Sequence, residues 1–218
     1  MTTRNSLLTE IAKRLVGILP DRTIRVAIDG VDGAGKTIFA DELSSSVSAL
    51  GRPVIRASVD SFHNRKTIRY RQGRHSPKGF FEDSYNYGAL KTLLLDPLGP
   101  DGNLRCRTTF FDHTLDTEVP AVEVEVAPSS VLLIDGIFLH RPELLQYWDA
   151  SIFLRVDFAQ SVARCATRDG SVSDPDAISN RRYVEGQRLY LQHCRPESTA
   201  TIVIDNNDLS SPALVVPA

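Results

Sequence analysis

Short apolar runs along the chain predict a parallel β-sheet. Such runs, most of them rich in β-branched residues, cover residues 24–28, 54–59, 131–135, 152–156 and 202–205. The stretches between them carry apolar residues at helical spacing, as Phe39 and Leu43 do. Strands that alternate with helices in this way predict an α/β fold, a three-layer sandwich whose parallel sheet has helices on both faces.

The segments around the first predicted strands differ in character. Residues 5–19 are predicted to form an amphipathic helix, because their apolar residues recur every three or four positions. Residues 61–82 are polar and rich in charge, which predicts a long loop. Most of its residues are expected to lie solvated at the surface, although a loop of this length often binds a ligand. Ser84 is expected to cap the helix that follows, which carries Leu90.

The second half of the chain predicts an insertion and a late helix. Two extended stretches within residues 104–126 predict an inserted β-hairpin, which would either cover a substrate or form an exposed edge ribbon. Residues 176–194 are predicted to be helical. The sequence shows no repeat and no second domain, so residues 1–218 are expected to form one domain.

The stretch Gly30–Thr37 reads G-V-D-G-A-G-K-T and matches the P-loop pattern G-x-x-x-x-G-K-T between a strand and a helix. Its glycines let backbone N–H groups converge on phosphate oxygens, and the positive end of the helix dipole points at the same anion. Lys36 would reach the β- and γ-phosphates, and the Thr37 hydroxyl would ligate Mg²⁺. The residues predicted to bind the nucleotide are Gly30, Asp32, Gly33, Ala34, Gly35, Lys36 and Thr37.

Two carboxylates follow predicted strands. Asp135 ends the apolar run Val131–Ile134, which is the pattern of the carboxylate that serves Mg²⁺ in P-loop proteins, although buried strands often end in Asp without such a role. Asp60 stands at the carboxyl end of another strand, where parallel sheets gather their ligand sites. Its alternative role is structural, as a cap that bonds to the amides of a turn.

Composition narrows the class of partner. The 218 residues are 42% hydrophobic and 24% charged, with a net charge of -2, which gives no electrostatic reason to expect nucleic acid as a partner. No apolar run could span a bilayer and no signal peptide is evident, so no membrane partner is expected. The three cysteines show no paired or metal-type spacing, which favours a cytoplasmic location. A homo-oligomer is compatible with the sequence.

These landmarks together resemble the uridine kinase family of P-loop kinases, which is related to phosphoribulokinase and pantothenate kinase. The resemblance covers residues from about 24 to 205 and implies a P-loop NTP hydrolase-like fold with a helical lid at about residues 169–176. Besides the P-loop, the matching segments are Val59–His63, Phe81–Tyr85, the hairpin ending near Phe111–Asp112, Ile134–Phe138, Arg164 with Arg168–Asp169, and Arg181–Tyr183.

The resemblance also implies roles for individual residues. Asp60 would face the ribose 5′-hydroxyl and act as its base, with Lys36 holding the phosphates. Arg164 and Arg168 would lead into the lid that closes over ATP and steady the transferring charge. The residues implied to hold the acceptor are Asp60, His63, Phe81, Glu82, Asp83, Phe111 and Arg182, and those implied to hold Mg²⁺ are Thr37 and Asp135.

The sequence departs from the family at two of these segments. The hairpin reads Phe110–Thr114 where the family commonly has Tyr-Asp-Phe and then His, and Glu82–Tyr85 stands where Asp-His-Pro-Asp is common. The expected activity is ATP–Mg²⁺-dependent phosphorylation of a small-molecule hydroxyl, foremost the 5′-hydroxyl of a nucleoside such as uridine or cytidine. Two alternatives stay open: a kinase of another metabolite, such as pantothenate or ribulose phosphate, and a regulatory protein that binds ATP and transfers nothing.

Overall fold

A mostly parallel sheet lies at the centre of the computed structural model, which describes residues 4–215. The strands in the described residues are β1 (Ile24–Gly30), β2 (Val54–Ser58), β3 (Arg105–Cys106), β4 (Phe111–Asp112), β5 (Thr117–Glu118), β6 (Val124–Glu125), β7 (Val131–Gly136), β8 (Ala150–Arg155), β9 (Ile202–Asp205) and β10 (Ala213–Leu214). Six of them form the sheet in the order β10–β9–β8–β1–β7–β2. The five predicted strands are therefore confirmed, and all five are parallel. The two-residue β10, which was not predicted, adds an antiparallel edge.

Helices cover both faces of this sheet. The described helices are α1 (Arg4–Gly17), α2 (Lys36–Ala49), α3 (Lys66–Arg69), α4 (Pro77–Asp83), α5 (Tyr87–Leu90), α6 (Pro142–Leu145), α7 (Phe158–Asp169), α8 (Arg181–Cys194) and α9 (Pro196–Thr199), with a 3₁₀ turn at Val59–Phe62 and a π-helical turn at Lys91–Leu95. Leu132 and Leu133 of β7 point into separate apolar clusters. One cluster contains Ile11 of α1 and Phe39 of α2, and the other contains Tyr190 of α8. The predicted three-layer arrangement is confirmed.

The segment predicted as a long loop, residues 61–82, contains α3 and most of α4. Ser84 does not cap the following helix, because its hydroxyl donates to the carbonyl oxygen of Phe80 at 2.6 Å. Asn86 is the cap instead, since its side-chain oxygen accepts from the N–H of Ala89 at 2.9 Å. These corrections matter because this segment forms one wall of the candidate site.

The predicted hairpin is present, but its ladder is interrupted. β3 pairs with β6 and β4 pairs with β5, both antiparallel, so residues 105–125 make two short ladders rather than one. The late helix begins at Arg181, five residues after the predicted start, because residues 170–180 form a loop. The predicted lid at residues 169–176 therefore consists mainly of this loop between α7 and α8. Among the described residues, no helix is both long enough and apolar enough to span a membrane.

Candidate active site

The P-loop joins β1 to α2 and lines a cavity of about 410 Å³, the P-loop cavity. Gly33 has a φ of +72°, and a Cβ there would lie 2.2 Å from the carbonyl oxygen of Ser161, so only glycine fits. The ammonium group of Lys36 donates a hydrogen bond of 2.8 Å to the carbonyl oxygen of Val31, which folds this side chain back over the loop. A glycine-rich loop at a helix N-terminus with an ammonium group beside it is suited to bind phosphate.

A hydroxyl and a carboxylate meet next to the P-loop. Thr37 Oγ1 donates a hydrogen bond of 2.8 Å to Asp135 Oδ2, and Arg56 Nη2 donates one of 2.8 Å to Asp135 Oδ1. Asp135 is 2% exposed, so its charge is balanced by a guanidinium close by. Hydroxyl and carboxylate oxygens are hard ligands that suit Mg²⁺, so the chemistry of this pair fits the predicted metal.

The outer part of the P-loop cavity combines apolar and cationic groups. Ile38 and Leu209 line it with exposed side chains, and Arg164 and Arg168 of α7 line it as well. Arg164 donates to two backbone carbonyls after β9, at 3.1 and 2.6 Å, and burial lowers its pKa. Arg168 is exposed and pairs with side chains of its own helix, Asp169 among them at 3.0 Å. Arg164 is thus tied to the backbone, whereas Arg168 has the freer guanidinium.

A second cavity of about 250 Å³, the side cavity, meets the P-loop cavity at Asp60, which lines both. Asp60 Oδ1 accepts a hydrogen bond of 2.9 Å from the hydroxyl of Tyr85. Burial raises the pKa of Tyr85 well above its usual range, and the charge of Asp60 adds to this effect, so the phenol keeps its proton. The ring of His63 lies 4.5 Å from that of Tyr85 and 4.9 Å from that of His113.

Two buried arginines also line the side cavity. Arg182 donates to the carbonyl oxygens of four residues in the segment 69–76, at 3.0 to 3.4 Å, so its guanidinium holds this wall in place. Arg69 pairs with Asp116 at 3.1 Å, but its Nε is buried and has no hydrogen-bond partner among the described residues. A buried donor without a partner costs free energy.

Asp32 lines both the P-loop cavity and the side cavity. Its backbone N–H donates to Gln187 Oε1 of α8 at 2.6 Å, and Gln187 Nε2 donates to Asp32 Oδ2 at 3.4 Å. Burial raises the pKa of Asp32, and the charge of Lys36 opposes that shift. The P-loop is therefore joined to α8 through the two-point contact that Gln187 makes with Asp32.

Comparison with solved structures decides the class of fold. No protein-family model matches the chain, and no curated protein does either. A protein provisionally named a uridine kinase, from Bacillus stearothermophilus, is 21% identical, and the match covers 90% of this chain and 96% of that one with a TM-score of 0.70. This chain has the fold of the uridine kinase-like P-loop kinases.

Two further P-loop kinase structures support the same fold. A provisionally named fructose transport system kinase from Silicibacter sp. TM1040 is 26% identical over 85% of this chain and 95% of that one, with a TM-score of 0.63. The phosphoribulokinase from Rhodobacter spheroides is 15% identical over 83% of this chain and 70% of that one, with a TM-score of 0.56. The names of these neighbours differ in the acceptor, so the fold leaves the acceptor open.

The P-loop kinase fold brings most of the predicted catalytic groups together. Lys36, Thr37, Asp60, Asp135, Arg164 and Arg168 all line the P-loop cavity. Asp60, His63 and Arg182, which were predicted to hold the acceptor, line the side cavity. The predicted phosphate and metal groups therefore lie beside the predicted base.

Four residues predicted to contact the acceptor do not line the side cavity, namely Phe81, Glu82, Asp83 and Phe111. The ring of Phe81 packs instead against the guanidinium of Arg141, whose carbon lies 4.6 Å from the ring centroid. Its neighbour in α4, Phe80, is the ring that lines the cavity. Adjacent helical residues point in directions about 100° apart, so two neighbouring residues of α4 contact different parts of the structure.

The other three are engaged in the surrounding scaffold. Asp83 is 1% exposed and accepts hydrogen bonds from Arg71 and from Gln72. Glu82 accepts from the same Gln72 side chain at 2.9 Å. Phe111 is buried in the hairpin, where it pairs with Glu118. These side chains stabilise the walls of the cavity without facing into it.

Sequence reasoning did not select several groups that line the cavities or support them. Tyr85, Arg69 and His113 line the side cavity, and Arg56 holds Asp135. Arg56 carried one detectable signal, because it is a charged residue inside the otherwise apolar predicted strand of residues 54–59. The others lie in short helices and turns, where no periodic pattern marks the direction of a side chain.

Proposed function

We propose that the protein is an ATP- and Mg²⁺-dependent kinase that phosphorylates a hydroxyl group of a small molecule. One observation carries the proposal: Asp60 lines both the P-loop cavity and the side cavity, and its carboxylate is hydrogen-bonded to Tyr85 of the side cavity. A base at that junction can take a proton from a hydroxyl in the side cavity while the P-loop holds the phosphates on the other side.

Asp60 takes the acceptor proton in this mechanism. The Tyr85 hydroxyl occupies Oδ1, and no hydrogen bond among the described residues engages Oδ2, which leaves that oxygen for the acceptor hydroxyl. The acceptor oxygen forms a bond to the γ-phosphorus as its proton passes to Asp60. The bond from the γ-phosphorus to the bridging oxygen breaks, and ADP departs with that electron pair.

Lys36 and the P-loop amides neutralise charge on the phosphates. Thr37 and Asp135 would hold Mg²⁺, which supplies charge neutralisation at the β- and γ-phosphates. Arg56 keeps the Asp135 carboxylate in place through a hydrogen bond of 2.8 Å. Arg168, whose guanidinium is freer than that of Arg164, is the arginine proposed to reach the transferring phosphoryl group.

The acceptor proposed first is a nucleoside, phosphorylated on its 5′-hydroxyl. The side cavity of about 250 Å³ suits a small metabolite, and the aromatic residues Phe80 and Tyr70 are among those that line it. A second candidate, an acceptor that already carries a phosphate or a carboxylate, is favoured by Arg69, whose buried Nε has no hydrogen-bond partner within residues 4–215. The free cysteines support a reducing, cytoplasmic setting for either activity.

A panel of acceptors with γ-labelled ATP tests the proposal. Uridine, cytidine, pantothenate, D-fructose and ribulose 5-phosphate would be incubated separately with the protein, and label transfer measured against substrate-free ATP hydrolysis. We expect transfer to one class of acceptor well above the hydrolysis rate. ATP binding without transfer to any acceptor would favour the regulatory alternative and contradict the kinase proposal.

We propose that the loop between α7 and α8, residues 170–180, is a lid that closes over ATP. The hydrogen bonds that hold it are mostly local: Asn180 Nδ2, for example, donates to the carbonyl oxygens of Val172 and Asp174 at 2.7 and 2.8 Å. Ile178 at its tip is 90% exposed, so little burial holds the loop in this position.

We therefore expect amides of residues 170–180 to exchange rapidly without nucleotide and at least tenfold more slowly with a non-hydrolysable ATP analogue and Mg²⁺. Hydrogen exchange read by mass spectrometry measures this difference. The β7 strand serves as an internal control, because its buried amides should be protected in both states. Equal exchange of the loop in the two states would contradict the closing movement.

A further inference from the structure

Asp32 stands where three cavities meet. The residue lines the P-loop cavity, the side cavity and a third cavity of about 440 Å³ between α7 and α8. Asp60 shares the first two of these, so both carboxylates border the junction at which the proposed transfer takes place. Both charges act on Tyr85: burial raises the pKa of its phenol, and the negative charges of Asp60 and Asp32 raise it further.

The carboxylate of Asp32 is unexpected in a loop that binds phosphate, because both groups are negatively charged. Backbone N–H groups and Lys36 attract phosphate, whereas a carboxylate repels it. Gln187 holds Asp32 at two points. Its Oε1 accepts from the backbone N–H of Asp32 at 2.6 Å, and its Nε2 donates to Asp32 Oδ2 at 3.4 Å. Because Gln187 is 3% exposed, this arrangement is part of the packed structure rather than a surface contact.

This arrangement leaves one oxygen of Asp32 available. No hydrogen bond to Oδ1 is found among the residues 4–215 that the structure describes, although Asp32 lines the side cavity and its charge acts on Tyr85 there. The same cavity is lined by Arg69, whose Nε is buried and has no hydrogen-bond partner within the described part of the chain. The natural partner of a carboxylate oxygen in a site for alcohols is a hydroxyl donor.

We propose that Asp32 binds a second hydroxyl group of the acceptor, while Asp60 engages the hydroxyl that is phosphorylated. The acceptor is then a polyol with at least two hydroxyl groups, such as the ribose of a nucleoside or a free sugar. This inference rests on the proposed kinase function and narrows its substrate class. It makes Asp32 a specificity-determining residue, in addition to the contribution of its backbone to the P-loop.

Binding measurements test this assignment without relying on turnover. Calorimetry would be run with a non-hydrolysable ATP analogue and Mg²⁺ present, using uridine with 2′-deoxyuridine and 3′-deoxyuridine, and D-fructose with its monodeoxy derivatives. The proteins compared are the unmodified chain, Asp32→Ala, Asp32→Asn and the control Asp101→Asn, which removes an exposed carboxylate in a distant turn. Circular dichroism establishes that each variant is folded, and the affinity for the ATP analogue is measured separately for each variant.

The unmodified chain and Asp101→Asn are expected to bind one polyol about 10- to 100-fold more tightly than the analogue lacking the second hydroxyl. In Asp32→Ala this ratio should fall to about one, and Asp32→Asn should lie between, because an amide oxygen accepts a weaker hydrogen bond. A ratio that persists in Asp32→Ala would overturn the assignment, as would a failure of all polyols to bind. A loss of affinity for the ATP analogue alone would assign the carboxylate to the nucleotide and overturn it too.

Failure of the kinase proposal is recognised separately. Label transfer from γ-labelled ATP reports the kinase function in the unmodified chain, whereas the ratio of dissociation constants reports Asp32. Equal phosphate transfer to a polyol and to its deoxy analogue, both before and after Asp32→Ala, would support the kinase function and contradict the role of Asp32. If the chain binds polyols through Asp32 but transfers no phosphate, the kinase proposal is contradicted and the role of Asp32 in binding is supported.

Discussion

Replacement of Asp60 by asparagine is expected to lower kcat by about 10² to 10⁴-fold, with the affinity for ATP nearly unchanged. An amide cannot take the proton of the acceptor hydroxyl, and a positioned general base contributes a factor of this order. The substitution keeps shape, and the amide oxygen can still accept from Tyr85, which now lies 2.9 Å from Oδ1. Steady-state kinetics with the acceptor found by the panel measure kcat, and calorimetry measures ATP binding.

The structural alternative for Asp60 makes a different forecast. A capping role would predict little change in kcat, because asparagine caps nearly as well as aspartate. In the structure, however, Ser58 caps the turn, since its hydroxyl oxygen accepts from the N–H of Asp60 at 3.3 Å. Ser58→Ala is therefore the matched control, expected to lower the free energy of unfolding by about 1 kcal/mol. An Asp60→Asn variant with unchanged kcat would remove the carboxylate from the mechanism.

Replacement of Lys36 by alanine is expected to reduce phosphoryl transfer by at least about 10²-fold, which corresponds to roughly 3 kcal/mol of lost transition-state stabilisation. Lys36 is the lysine that lines the P-loop cavity, and its ammonium group is held by the carbonyl oxygen of Val31 at 2.8 Å. Because α2 begins at this residue and alanine favours helix, the fold should survive. A coupled ATP assay with circular dichroism checks both expectations.

The control for this substitution is Lys13→Ala, which removes an exposed ammonium group on α1 outside both cavities. It should leave kcat and the far-ultraviolet spectrum unchanged. A folded Lys36→Ala protein with near-normal turnover would contradict the role of the P-loop in catalysis. Equal losses in the two variants would indicate a nonspecific effect of charge removal.

The parts of the fold that could be predicted are those with a repeating physical signal. The strand β7 is apolar from Val131 to Ile134 because both of its faces are buried, and this makes it recognisable in the sequence. The P-loop is visible because its glycines and Lys36 obey a fixed spacing. Asp60 and Asp135 could be placed by topology, since parallel strands end at one edge of the sheet.

The side cavity could not be predicted in the same way. Its wall contains α3, which has four residues and therefore shows no helical period. The residue of α4 whose ring lines it is Phe80 rather than Phe81, and the hairpin residue is His113 rather than Phe111. Composition cannot resolve differences of one and two positions. Arg182 was selected for the acceptor, but its donors are used by carbonyl oxygens of the chain itself.

The bonds that Arg182 makes also bear on how the protein folds. They join residues separated by 106 to 113 positions in the chain, so the wall around segment 69–76 receives its guanidinium only after α8 has been synthesised. Contacts of such long range form late, because the entropy of closing the intervening chain must be overcome first. A chain released before α8 would still contain the P-loop and the β1–β7 pair, yet the wall of the side cavity beside Asp60 would lack the hydrogen bonds of Arg182.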